Sequence, residues 1–356
     1  MSLRIGGMGW VTPLGSGVSA VWERLMTGDV AASDAISSPL NPQSYPAFRV
    51  PPEATAKAPA HPRLRRSSAI SRFAVVAGLA ALEDAQLQLD AVSAERTAVI
   101  FAISNGGVIY TKRFYHDVVE SGAQAASPLL FPETVFNAPA SHLAALLGID
   151  GASYTLVGDS SVGLAAVKFA EQLLAGDEVD RCVVGGAEEL DWVLCEAYRT
   201  WRIAARKMPE AGRPARGAIL AEGGAALVLA REGRVPIRAV HEGVPFFRRR
   251  EAGAALERVF ASLVEGEIDL VVGCANGSFV DALEAQAIAR HCPRAVILQP
   301  KRCLGEALGA SALFQVIAGA LAVQGRQLPS DPAPPIRTAL VSVLGFNQQA
   351  SGLVLG

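Results

Sequence analysis

Tyr154-Thr155-Leu156-Val157-Gly158-Asp159-Ser160-Ser161-Val162-Gly163 decides how this chain is read. Strand-forming residues run into a turn of small ones, and a helical pattern opens at Val162 and continues to about Gly176. The stretch predicts a buried strand, a tight turn and a helix. A side chain on such a turn sits at a helix N-terminus, where unpaired backbone N–H groups and the helix dipole favour developing negative charge. That is a seat for a nucleophile, and Ser160 occupies it.

Outward from this turn the chain alternates strands and helices. Upstream, residues 3–11 read as a strand that breaks at Thr12-Pro13-Leu14-Gly15, and residues 18–26 as an amphipathic helix. Residues 29–62 are rich in Pro, Ser and Ala with weak periodicity and predict an irregular surface excursion. Residues 71–85 predict a buried helix, 97–103 a strand, 131–139 a loop and 140–147 a helix. Downstream, 180–186 predicts a buried strand and 218–229 a closing pair of strands. The remainder repeats the theme, with strands at 237–240, 269–273, 339–344 and 352–355 and helices at 252–263, 280–290 and 308–323. This alternation predicts an α/β fold with mostly parallel sheets between helix layers, in two comparable halves, 1–234 and 235–356.

Composition narrows the function classes. With 51% apolar and 19% charged residues in 356, the chain can bury a large core and is not a disordered polymer. A formal net charge of −2 leaves no electrostatic footprint for nucleic acid. Neither a continuous membrane-spanning apolar run nor a charged-then-apolar leader is found, so the expectation is a cytoplasmic protein without a membrane partner. The five cysteines (Cys182, Cys195, Cys274, Cys292, Cys303) lack Cys-x-x-Cys spacing, and neither a metal site, a cofactor nor a disulfide framework is expected.

Several anchors fall in an order that resembles the β-ketoacyl-acyl-carrier-protein synthases of the thiolase superfamily. They are Gly9-Trp10-Val11-Thr12-Pro13-Leu14-Gly15, the Ser160 turn, Gly185-Gly186-Ala187-Glu188-Glu189, the run Arg216 to Ala225, and Gly345-Phe346. The resemblance implies a thiolase-like fold, layered α-β-α-β-α. It also implies a catalytic cysteine and two histidines, at positions that here hold Ser160, Asn276 (in Cys274-Ala275-Asn276-Gly277-Ser278) and Glu306 (in Lys301-Arg302-Cys303-Leu304-Gly305-Glu306). Lys301, Asp281 and Glu284 match supporting residues of the family, and the backbone N–H groups of Ser160 and Phe346 match its oxyanion hole.

All three reacting groups are thus changed. Asparagine donates a hydrogen bond but takes up no proton near neutral pH. An ionised glutamate repels the enolate that a histidine would stabilise, and a serine without a histidine base is a poor nucleophile. The five histidines (His61, His116, His142, His241, His291) lie in no motif that brings one to Ser160.

Three readings follow. The first is a non-catalytic homologue resembling the chain-length factors of type II polyketide and aryl-polyene systems, paired with an active ketosynthase and served by an acyl carrier protein. Its dimer face is expected around Asn137 to Leu147 and the strand near Ile100 to Asn105. The second is an acyltransferase or hydrolase acting on acyl-carrier or acyl-CoA thioesters through Ser160, with Glu306 or, less well placed, Asp159 as base. The third is a homodimeric binder of acyl chains. Basic residues to meet an acidic carrier are available at Arg63, Arg65, Arg66 and Arg72, and at Arg248-Arg249-Arg250.

Overall fold

The computed structural model describes residues 3–209, 215–328 and 335–356. The first part of the chain runs β1 (Leu3–Thr12), β2 (Gly15–Ser16), α1 (Val18–Met26), β3 (Ser33–Ser37), β4 (Ser44–Phe48), α2 (Ala69–Asp84), α3 (Ala91–Glu95) and β5 (Thr97–Ile103). It continues with α4 (Val108–Ser121), α5 (Ala138–Leu147), β6 (Ser153–Val157), α6 (Val162–Ala175), β7 (Arg181–Glu188), α7 (Trp192–Thr200), β8 (Leu220–Ala221) and β9 (Gly223–Ala230). Then come β10 (Val235–Val240), β11 (Val244–Pro245), α8 (Arg249–Leu263), β12 (Leu270–Val272), α9 (Val280–His291) and β13 (Val296–Leu298). The chain ends with α10 (Lys301–Leu304), α11 (Ser311–Val323), β14 (Ala339–Leu344) and β15 (Gln349–Leu355).

Ten strands follow one another in the order β13-β12-β14-β15-β10-β1-β9-β7-β5-β6. From β1 outward the pairings are antiparallel to β9, antiparallel to β7, then parallel to β5 and β6. From β10 outward they repeat: antiparallel to β15 and β14, then parallel to β12 and β13. The two sets join through antiparallel β1 and β10, with Leu3 opposite Ile237.

Helices form three layers around these sheets. α2 covers β1, β9 and β7 on one outside, and α8, with α9 beside it, covers β15 on the other. Between the sheets lie α6 and α11, and α11 touches strands of both sets. A helix in that position has no solvent face, and Ser311 through Ala322 are all buried. The fold is the thiolase-like layered α/β arrangement.

Several expectations need correction. Residues 29–62 are not wholly irregular: β3 and β4 form a hairpin, and β4 pairs with β8 in a separate three-stranded sheet. Tyr45 and Ala47 alternate inward against Leu194 and Tyr198, and Pro46 between them masks the strand pattern. α4 and α7 were not foreseen, and no residue of α4 is buried, which weakens its periodic signal. β6 is a strand but not a buried one. Among the described residues it pairs only with β5, at the end of the sheet, leaving Tyr154 38% and Val157 52% exposed. Ile100, expected on the dimer face, is instead fully buried in β5 between β6 and β7. No helix among the described residues is long and apolar enough to cross a membrane.

Candidate active site

Three loops at the ends of strands converge. The turn after β6 carries Ser160, the loop between β12 and α9 carries Asn276, and Glu306 follows α10. Gly305 precedes Glu306 with φ 77°, a left-handed conformation that glycine adopts without a side-chain penalty. The backbone is then held by Glu306 N donating to Ile219 O at 2.8 Å.

Two of these side chains bond to the third, Glu306. Ser160 Oγ donates to Glu306 Oε1 at 3.0 Å, and Asn276 Nδ2 donates to Glu306 Oε2 at 2.8 Å. Lys301 Nζ donates to the same Oε2 at 2.7 Å. Asn276 is oriented by its own loop: Asp281 Oδ1 accepts its backbone N–H at 2.8 Å, and its Oδ1 accepts the Ser278 hydroxyl at 2.6 Å. Glu284 accepts the backbone N–H groups of Cys274 and Ala275 and the Cys274 thiol. Sequence reasoning named Ser160, Asn276, Glu306, Lys301, Asp281 and Glu284 together, and these hydrogen bonds link the first four directly and tie the last two to the Asn276 loop.

The cluster is buried and internally neutralised. Glu306 is completely buried and Ser160 is 1% exposed. Burial alone would raise the Glu306 pKa, yet the Lys301 ammonium, with Asn276 and Ser311, brings it below the ordinary carboxylate value. The same pairing lifts Lys301 above the usual lysine value against its own burial. Glu306 is therefore a carboxylate and Lys301 an ammonium. Burial, reinforced by the charge on Glu284, keeps the Cys274 thiol protonated well above its ordinary range. Close by, Glu188 accepts backbone N–H groups from Asn105 at 2.9 Å, Ser104 at 3.1 Å and Gly309 at 3.3 Å. Burial nevertheless pushes its pKa to about 8.

Phe346 departs from its expected role. Its N–H donates to Asp159 Oδ2 at 2.8 Å, so this expected oxyanion donor is already satisfied by a carboxylate of the chain itself. Sequence reasoning weighed Asp159 only as a base; its pairing with a turn 187 residues away left no local signal. Four of the five histidines are engaged elsewhere, His142 with Glu133, His291 with Glu257, His241 with Gly243 N and His61 with Arg63 N, and His116 is exposed on α4. Among the described residues no group of three metal-ligating side chains occurs.

Beside the cluster lies an open cleft of about 310 Å³, walled by Tyr198, Trp201, Phe247, Arg249, Asp159 and Phe346. Ser160 is not among its lining residues.

Residues 2–234 match the family model described as Beta-ketoacyl synthase, N-terminal domain, and the chain belongs to the β-ketoacyl synthase family. A 3-oxoacyl-[acyl-carrier-protein] synthase 2 of Coxiella burnetii is 24% identical, over 91% of this chain and 86% of that protein. The solved structure of the ishigamide ketosynthase/chain length factor superposes with TM-score 0.83 at 21% identity, over 100% of this chain and 98% of its counterpart. A type II polyketide synthase acyl-carrier protein in complex with its ketosynthase gives TM-score 0.82 at 15% identity, over 99% and 98% of the two chains. At these identities the superpositions speak for the shared fold.

Proposed function

We propose that this chain is a non-catalytic β-ketoacyl synthase-like subunit of the chain-length-factor type, which pairs with an active ketosynthase in fatty acid, polyketide or aryl-polyene synthesis. One observation carries the reading: the three positions where the family does its chemistry hold Ser160, Asn276 and Glu306, with Ser160 and Asn276 both bonded to the Glu306 carboxylate and Lys301 neutralising it. Decarboxylative condensation needs groups that stabilise a developing enolate, and a buried carboxylate at that point opposes it. Pairing is supported by the open edge of β6 together with exposed apolar side chains at Tyr115, Val119, Leu129 and Phe131. This replaces the face expected around Asn137 to Leu147. Asn137 is exposed, but Ala140 and Leu143 belong to the core against α2. An acidic acyl carrier protein has a basic landing point at Arg248 to Arg250, since Arg249 borders the cleft.

A second reading, a serine-dependent acyltransferase or hydrolase, is favoured by the 3.0 Å contact from Ser160 Oγ to Glu306. Against it stands the lowered pKa of Glu306, which makes that carboxylate a weak base. Intact mass spectrometry after incubation with acyl-CoA and acyl-carrier donors separates the two. The subunit reading expects no adduct on the native chain; an adduct that disappears in Ser160→Ala would establish the acyltransferase instead.

A further inference from the structure

β7 ends at Glu188, close to the Ser160 cluster, and begins at Arg181. At a rise of about 3.3 Å per residue, those two ends lie roughly 23 Å apart. At the Arg181 end, a cleft of about 720 Å³ opens between the start of β7, the turn from β9 to β10 and the residues that close α2. Three acids in and around it are already matched by arginines. Arg234 pairs with Asp84, Arg231 Nη2 lies 2.8 Å from Asp177 Oδ1, and Arg96 holds Asp180 through two bonds of 2.7 and 2.8 Å. Arg181 is different. Among the described residues it enters no ion pair, and its Nη1 is buried without a hydrogen-bond partner. Glu232, exposed at the same cleft, is likewise without a cation among the described residues. Arg181 stands opposite Ala230 in the β7–β9 pairing, so Glu232 follows only two residues beyond its neighbour.

A buried guanidinium nitrogen is costly to leave without an acceptor. The cleft thus offers one unmatched cation and one unmatched anion, close in the sheet but not joined to each other. Its wall also carries Leu87, Val228 and Ala230, and no aromatic ring on which a planar ligand could stack. We propose that this cleft binds a free aliphatic α-amino acid, with its carboxylate on Arg181, its ammonium on Glu232 and its side chain along Leu87 and Val228. A guanidinium presents parallel N–H donors that suit a carboxylate. A ligand with negative charge alone would meet repulsion from Glu232, and an amine alone would leave Arg181 Nη1 unsatisfied. The volume lies within the range of about 300–1,000 Å³ usual for small-molecule sites, and exceeds what one amino acid fills, so waters share the cleft. The site stands apart from Ser160, Asn276, Glu306 and Lys301, and the proposal holds whatever that cluster does.

Isothermal titration calorimetry at neutral pH and low ionic strength tests it with three probes: L-leucine, acetate and n-butylamine. Leucine is expected to give a saturable heat. Acetate and butylamine each lack one charge-assisted bond and are expected to bind at least about tenfold more weakly. Arg181→Gln and Glu232→Gln are each expected to weaken leucine by a similar factor, about tenfold or more. Arg258→Gln, at an exposed position of α8, removes the same charge elsewhere and is expected to leave leucine binding within about twofold. No saturable heat from leucine overturns the site. Acetate or butylamine binding as tightly as leucine overturns the zwitterion, because one charge would then suffice. Undiminished leucine binding by Arg181→Gln overturns the assignment of the carboxylate. If circular dichroism shows that Arg181→Gln does not fold, Glu232→Gln decides, since Glu232 is exposed in a turn. There a weakened leucine heat supports the proposal and an unchanged one overturns it.

Discussion

Glu306 is a fully buried carboxylate at the centre of the candidate site. A carboxylate removed from water is tolerated only when charge and hydrogen bonds replace the solvent, and Lys301, Asn276 and Ser160 do so. The pair is asymmetric in its response to mutation. Glu306→Gln leaves the Lys301 ammonium buried and unpaired, and urea denaturation should register a loss of about 3–5 kcal/mol. Replacing both, Glu306→Leu with Lys301→Met, should cost clearly less, because no uncompensated charge remains. The pH dependence follows from the lowered pKa of Glu306. An acid whose folded pKa lies below its unfolded value contributes stability above the unfolded pKa, and that contribution fades as pH falls through the folded one. Native stability should therefore begin to fall as pH drops below the ordinary glutamate value of 4.5, and the double variant should show a shallower fall. A steeper acid limb in the double variant would contradict this.

At the scale of elements, the meeting of α6 and α11 shows how closely the central layer is built. A Cβ at Gly163 would lie 3.0 Å from the Ala312 Cβ and 3.3 Å from Leu313 Cγ. Gly163→Ala should raise helix propensity, yet the overpacking should win, with a net loss of about 1–3 kcal/mol by urea denaturation. A stabilised variant would mean that the two helices can separate at little cost. The same scale shows what the sequence made legible. α6, α8 and α9 carry helical apolar spacing, α11 is a long apolar run buried all round, and β5 is a short apolar run with sharp ends, so all five were readable locally. α4 was not, because none of its residues is buried. β6 read as buried because its residues are strand-forming, and only the order of strands in the sheet puts it at the end. In the site, the motif positions gave Ser160, Asn276, Glu306 and Lys301. The Asp159 contact with Phe346 was hidden because it depends on a tertiary approach that no local pattern encodes.

For the whole molecule the open end of β6 raises the question of what covers it. An unpaired edge with exposed apolar residues templates association unless charge or a covering element blocks it, and Val157 and Tyr154 offer neither charge nor cover. Val157 lies opposite Ile103 of β5 and is 52% exposed, so a substitution there touches the edge without opening the core. Val157→Lys should leave the folded chain within about 0.5 kcal/mol of the native stability, as surface changes generally do. It should nevertheless abolish the complex formed on co-expression with an intact Cys–His–His ketosynthase of the same pathway, read by light scattering on the purified pair. The matched control is Ile297→Lys at β13, the opposite end of the sheet, where a 50% exposed residue also sits on an edge strand. If the two substitutions weaken the complex equally, edge charge acts nonspecifically and the β6 face is not the pairing surface. If only Val157→Lys does, the partner is located at the end of the sheet that carries the Ser160 turn.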